Sequence, residues 1–245
     1  MKFAEENSFD IKDKIKADVP VVLPIGAVEA HGGHLPLNTD NILAEKYADK
    51  LAEKTNGFVL PVLPFGQVWS LRDFPGSLTL SNATLSALVS EIGVSLYQQG
   101  FRIFVIFSAH LGNMTALKDA GRNLYDQFPD MKVMYIFYPE LQSLAAEVRE
   151  SSANHHTYVH ADEIETSLML YLSPEDVNME RAIDDPPILP EDSDYTPTPW
   201  QKFTSTAVLG EATLATAKKG EFLIERTLEK SVEIVEKAKK EIREK

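Results

Sequence analysis

The chain contains no cysteine in its 245 residues. Disulfide staples, thiolate nucleophiles, iron–sulfur clusters and cysteine-ligated zinc are therefore excluded, and any metal must be held by His, Asp and Glu. Long apolar runs are also missing, since no stretch approaches the roughly 20 residues that a membrane span requires. The opening residues, MKFAEENSFDIKDKIK, mix acids with bases where a secretion signal carries an apolar core. A cytoplasmic protein without a membrane partner is expected. Positive charge is scarce: 24 Lys and Arg face 37 Asp and Glu, giving a formal charge of -13. Such a surface repels a phosphate backbone. The one basic cluster, EKAKKEIREK, is interleaved with glutamates, and no nucleic-acid partner is expected.

At 44% hydrophobic and 25% charged residues, the composition is that of a globular chain able to bury a sizeable core. Apolar, β-branched runs occur at Val19 to Gly26, Gly57 to Gly66, Arg102 to Ala109 and Lys132 to Tyr138. Continuous apolarity suits strands buried on both faces of a parallel sheet. Helical periodicity fills the gaps. Thr39 or Asp40 is placed to cap a helix burying Ile42, Leu43, Tyr47 and Leu51 and stopped by Gly57. Ser81 or Asn82 is placed to cap a second, with Leu85, Leu88, Val89, Ile92 and Leu96 inward, and Asn113 begins a third. Two further helical segments precede DDPPILPEDSDYTPTPW, an extended surface loop, and a last helix starts near Lys219. The alternation predicts one α/β domain over residues 1–245, with a central, mostly parallel sheet flanked by helices on both faces.

Ligands in open α/β sheets bind beyond the carboxyl ends of the strands. The first strand exits into GAVEAHGGHLPLNTD and the third into SAHLGN. Glu29 and His31, one residue apart, point to the same side of an extended backbone. Asp40 and His110 join them, so two carboxylates and two imidazoles are expected to converge. Singly, each has an ordinary explanation: Asp40 as a helix cap, Glu29 as a solvated loop acid, and His31, His34 and His110 as hydrogen-bonded loop imidazoles. Together, an acid cluster at two strand exits calls for a compensating divalent cation. A later segment, HADEIETSLML, brings His160, Asp162, Glu163 and Glu165 ahead of an apolar run; acids at a helix start are also favoured by the macrodipole alone. His155 and His156 read as loop residues without an assigned role. The sequence lacks G-x-G-x-x-G, a P-loop, G-x-S-x-G and H-E-x-x-H.

These segments together resemble the creatininase family, the creatinine amidohydrolase-like proteins. LPIGAVEAHGGHLPLNTD is similar to the family's Leu-Pro-x-Gly-x-x-Glu-x-His-Gly-x-His-Leu-Pro block with its following Asp. SAHLGN is similar to its histidine followed by Gly-Asn, HADEIETS to its His-Ala-x-x-x-Glu-Thr-Ser, and FPGSLTLS to its FPGT-type loop. The likeness runs from about Leu23 to the C-terminal helix. It implies a homo-oligomer, typically a hexamer, and a two-metal site. Glu29 and His110 would hold one ion, His31 the other, Asp40 would bridge them, and His160 would be the catalytic group on the substrate side. True creatininases follow the second-block histidine with tyrosine and a metal-binding glutamate, whereas Leu111 and Gly112 stand here. Another carboxylate must complete the second ion's ligands. Glu165, at the recurrent Glu of the third block, is the choice, with Glu163 in reserve. The same departure argues against creatinine itself as the substrate.

The implied cofactors are two divalent ions, and mixed imidazole and carboxylate ligands suit zinc, manganese or iron. Two such ions sharing a carboxylate activate a bridging hydroxide. The expected function is a metal-dependent amidohydrolase cleaving a C–N bond of a small-molecule cyclic amide or formamide. The alternatives are a formamide-pyrimidine deformylase, a cofactor-precursor peptidase, or a non-catalytic metal-binding module. Trp69 and Phe74 are candidate pocket walls, Asn113 or the Gly112 backbone is placed to orient a ligand, and the Asp184 to Trp200 loop is expected at the site rim or a subunit interface.

Overall fold

Wholly buried β-branched residues pair the first and third apolar runs at the centre of the sheet. The computed structural model describes residues 1–244. Strands β1 (Pro20–Ile25), β2 (Phe58–Val59), β3 (Ile103–Ser108) and β4 (Lys132–Ile136) form one parallel sheet in the order β2-β1-β3-β4. The register sets Ile25 opposite Ser108, so β1 and β3 end level and their exits leave the sheet together. As predicted, both are buried on both faces. Strand β4 differs: it is an edge strand and mostly half-exposed. Strand β2 is far shorter than its apolar run, because Pro61 and Pro64 have no N–H to donate to a ladder. The chain still tracks β1 through bonds from Leu60 N–H to the Val22 carbonyl (2.9 Å) and Leu63 N–H to the Pro24 carbonyl (3.0 Å).

Alternate strand residues feed two cores, as the two-residue period of a pleated strand requires. Val22, Val105 and Phe107 pack with helices α2 (Thr39–Thr55), α6 (Glu163–Leu172) and α7 (Ala217–Arg243) through Tyr47, Leu168 and Leu228. Val21, Leu23, Phe104 and Ile106 pack on the other face against α1 (Ser8–Lys14), α3 (Asn82–Gln99) and α4 (Met114–Gln127) through Ile11, Val89 and Leu124. The short α5 (Leu141–Val148) joins the first core through Leu141 and Ala145. Helices thus cover both faces, as expected. Stacking of Tyr47 on Phe107 at 4.0 Å ties α2 to β3.

Several local expectations need correction. Ser81 does cap α3, accepting the Thr84 N–H, but Leu88 is exposed on that helix. Neither Thr39 nor Asp40 caps α2: the helix follows Asn38, and the Thr39 hydroxyl donates to the Pro36 carbonyl. Asn56, at φ 53, takes the left-handed position that ends α2, where Gly57 was expected. Helix α7 begins two residues before Lys219, with Thr216 as its cap. Within the proline-rich segment, β5 (Asp184–Asp185) pairs antiparallel with β6 (Gly210–Glu211), and the remainder runs irregularly to Trp200, whose N–H donates to the Ser70 carbonyl. Among the described residues no helix is long and apolar enough to cross a membrane.

Candidate metal centre

Leaving β1, the chain is held by a bridge between Val28 and Leu78 and by the Glu29 N–H on the Leu37 carbonyl. It turns at Gly32, whose φ of 64 is left-handed, and enters α2 with Asp40 in its first turn. His110 follows β3 by two residues, and from the other side the segment entering α6 delivers His160 and the first turn of α6 delivers Glu165. Ala161 sits at φ 47, a strained position for a non-glycine residue, and its N–H donates to Glu165 Oε2 at 2.6 Å. Glu29, His31, Asp40, His160 and Glu165 are all buried, and His110 is nearly so.

These six side chains meet. His31 Nε2 lies 3.5 Å from Asp40 Oδ1 and 3.5 Å from Glu165 Oε2. His110 Nδ1 lies 3.1 Å from Glu29 Oε1 and 3.3 Å from Asp40 Oδ2. Each Asp40 oxygen therefore faces a different imidazole. Three ligand triads result, Glu29–Asp40–His110, His31–Asp40–Glu165 and Glu29–His31–His160, each with ligand atoms within 4.8 Å of one another, and Asp40 is shared by the first two. His160 Nδ1 stands 3.6 Å from Glu29 Oε1, and its ring lies 4.4 Å from that of His31.

The far side of each ring explains how the near side is directed. His31 Nδ1–H donates to the Glu29 carbonyl (3.1 Å), His110 Nε2–H to the Gln67 carbonyl (2.7 Å), and His160 Nε2–H to the Ala30 carbonyl (2.9 Å). A carbonyl only accepts, so each ring carries its proton outward and offers a lone pair to the centre. With the inward atoms deprotonated, three lone pairs and three carboxylates face one another with no donor between them. Among the described residues, Glu29 Oε2, Asp40 Oδ2 and His31 Nε2 find no hydrogen-bond partner. Orphaned acceptors of this kind are costly unless a cation satisfies them. The donor set fits divalent metal.

Electrostatics agree. Burial lowers His31, but the carboxylates of Glu165, Asp40 and Glu29 outweigh it and raise the ring to about 10. His110 is likewise raised despite burial, by Glu29 and Asp40. Burial raises Glu29, and raises Glu165 to about 8, whereas the two facing imidazoles overcome burial at Asp40 and hold it well below the usual carboxylate range. The centre is thus a well for positive charge. His160 is the exception, since burial and the nearby His31 push it well below its ordinary value and leave it neutral.

The acids ahead of α6 divide by role. Asp162 caps the helix, accepting from the Ile164 and Glu165 N–H groups, and pairs with Arg149 at 3.0 Å. Glu163, the reserve candidate, is turned away. It accepts from the Glu150 and Ser151 N–H groups and from Lys219 at 2.6 Å. Glu165 alone of the three reaches the cluster. At Gly112 a Cβ would stand 2.4 Å from His110 Nε2 and 2.6 Å from the Gln67 carbonyl, so a side chain there would have to displace the bond between them. Asn113 neither caps α4 nor faces the pocket. Its carboxamide donates to the Gly26 carbonyl and accepts from the Gln67 N–H, tying separate strand exits together. His34 donates to or accepts from Thr166 and stays outside all three triads.

A cavity of about 220 Å³ opens on the cluster, walled by Leu71, Leu111, Phe137, Tyr158 and Trp200. The expected walls are corrected: Phe74 is packed inside with Ala27 and Val68, and Trp69 lines a smaller neighbouring cavity. Tyr158 and Trp200 carried no local sequence signal. Long-range chain return places them, although Trp200 ends the loop expected at the rim.

A family model described as creatinine amidohydrolase matches residues 4–235. Creatinine amidohydrolase of Pseudomonas putida is 29% identical over 221 residues, 85% of each chain. The mycofactocin precursor peptide peptidase of Mycolicibacterium smegmatis is 31% identical over 166 residues, covering 65% of this chain and 60% of that one. A crystal structure of creatininase superposes with a TM-score of 0.87 at 26% identity, covering 96% of both chains.

Proposed function

Because the chain belongs to the creatininase family, we propose that it is a metal-dependent amidohydrolase whose residues 1–245 form one catalytic domain acting on the C–N bond of a small-molecule cyclic amide or formamide. The observation that carries this reading is Asp40, shared by two triads whose imidazoles all donate outward. Glu29, Asp40 and His110 would hold one divalent ion, and His31, Asp40 and Glu165 the other. Zinc, manganese and iron(II) all suit this ligand set. When bound, such a pair polarises a carbonyl and lowers the pKa of a water toward neutrality.

The chain's own residues supply the rest. The pocket walls hold the amide against the cluster and exclude bulk solvent. As the water oxygen bonds to the carbonyl carbon, His160 Nδ1, neutral and facing the centre, takes the proton released. It returns that proton to the nitrogen as the C–N bond breaks. Its Nε2–H stays on the Ala30 carbonyl throughout, so the ring does not rotate between the two transfers.

The same reading includes a cytoplasmic homo-oligomer, by resemblance a hexamer. Leu37 and Leu78, exposed apolar residues on segments joined through Val28 and Glu29, are surface that an interface would cover. The test is chelation followed by repletion. Hydrolysis across a panel of cyclic amides, formamides and short peptides should vanish with the metal and return with zinc, manganese or iron. Activity that persists in verified metal-free protein would refute the mechanism.

A further inference from the structure

The pocket over the cluster has a neighbour. A second cavity, of about 140 Å³, lies beyond Tyr158 and Trp200, and these two residues with Ser70 line both spaces. The Tyr158 and Trp200 rings stand 5.7 Å apart, and Trp200 meets His160 edge-on at 5.0 Å. A group in the second cavity is therefore one aromatic ring away from the imidazole that moves the proton.

The walls of this cavity define what it suits. Trp69, Trp200 and Phe203 give it aromatic surface, and Ser70, Ser193 and Thr196 give it hydroxyls. The Ser70 and Ser193 hydroxyls have no protein partner among the described residues. The Thr196 hydroxyl donates to the Asp192 carbonyl, so its oxygen keeps capacity to accept. Among the described residues no charged side chain lines the space. Aromatic faces with free hydroxyls and no charge match a neutral ring that carries hydroxyl groups of its own. The volume, several times the ~30 Å³ share of one water, is on the scale of a single small ring.

The cavity is also held in shape. His155 stacks on Tyr158 at 4.0 Å and donates from Nε2 to Asp194 at 3.1 Å, while its Nδ1 accepts the Thr157 and Tyr158 N–H groups. The proline-rich loop is thus pinned to the segment that carries Tyr158. Because Nδ1 is already an acceptor for two amides, His155 serves as a clasp and not as a metal ligand beside His156 and Asp194.

We propose that this cavity is a second compartment of the active site, and that the substrate carries, beside its scissile amide, a neutral hydroxyl-bearing ring of the sugar or cyclitol kind. The link to a substrate rests on the hydrolytic reading above; the compartment itself does not. Trp69 and Trp200 are the only tryptophans of the chain, and both line it, so intrinsic fluorescence responds to its occupancy, and a variant that fills this cavity separates that response from one at the first pocket.

Metal-loaded protein titrated with myo-inositol should show a saturable change in tryptophan emission. Ser193→Phe, a loop substitution that fills the space, should abolish the response while metal content stays at the wild-type value. In parallel, wild-type kcat/KM for N-glucosylformamide should exceed that for N-methylformamide by about tenfold or more, and the Ser193→Phe protein should lose that preference. A saturable response without hydrolysis of either amide would support the compartment and count against the hydrolytic reading. No saturable response up to the solubility of myo-inositol, or one unchanged in the variant, would overturn the proposal.

Discussion

His110 donates its Nε2–H to the Gln67 carbonyl at 2.7 Å, and that bond turns Nδ1 to within 3.1 Å of Glu29. The contact depends on two neighbours. Asn113 accepts the Gln67 N–H and so anchors the residue whose carbonyl receives His110, and Gly112 leaves the space in which they meet. The orientation of one imidazole is thus written into the path of two loops.

A methyl group at residue 112 tests this dependence. Gly112→Ala places Cβ where His110 Nε2 and the Gln67 carbonyl already stand. Loss of a partner that orients a metal-binding histidine typically lowers metal affinity by about 10- to 100-fold. The ion at His110 should be held more weakly by this factor while the His31 ion is retained. Elemental analysis after dialysis against graded chelator would show the split; equal loss of both ions would argue against it.

Asp40 distinguishes a shared ligand from a helix residue. It sits in the first turn of α2 but caps nothing. Asp40→Ala should remove both ions together. A variant that kept its metals and lost only the ~1 kcal/mol typical of a cap, by thermal melting, would refute the shared role.

The two glutamates of α6 should separate metal binding from stability. Glu165→Gln is expected to lose the ion at His31 and to lower activity. Glu163→Gln should keep both ions and instead destabilise the fold by about 3 kcal/mol, since it strips a buried partner from Lys219. Burial raises Glu163, but Lys219, Ser151 and two backbone N–H groups outweigh it and hold the carboxyl at about 2. A carboxylate lowered in the folded state stabilises fully above its unfolded value of 4.5, and that contribution fades as the pH falls toward 2. Urea midpoints measured across this window should drop in the wild type and flatten in Glu163→Gln.

Metal and proton should compete at the centre. Without metal, His31 holds a proton up to about pH 10, and Glu165 up to about 8. Loading at neutral pH must displace these protons, so apparent affinity should rise with pH. Calorimetric titration in buffers of differing ionisation enthalpy should record net proton release. Proton uptake, or none, would contradict the assignment.

The fold was readable where burial is two-sided. Val21 to Ile25 and Ile103 to Phe107 are unbroken apolar runs because helices cover both faces, and that pattern survives in sequence. The second run misleads, because Pro61 and Pro64 are apolar and still cannot join a ladder. Glu29, His31, Asp40 and His110 could be grouped because strand exits gather polar residues at one edge. Glu163 and Glu165 could not be separated by spacing alone, since helix phase and the reach of Lys219 decide which acid turns inward. Tyr158 and Trp200 were illegible as partners, being brought together by loops with no periodicity to read. The loop tie between His155 and Asp194 escaped for the same reason.

All three rings of the centre are steered by main-chain oxygens, those of Glu29, Ala30 and Gln67. Side-chain replacement cannot delete a main-chain oxygen. The walls at Phe137, Tyr158 and Trp200 can therefore be exchanged for other shapes without misaiming the imidazoles. A scaffold built this way can vary the molecules it accepts while its reactive core stays fixed.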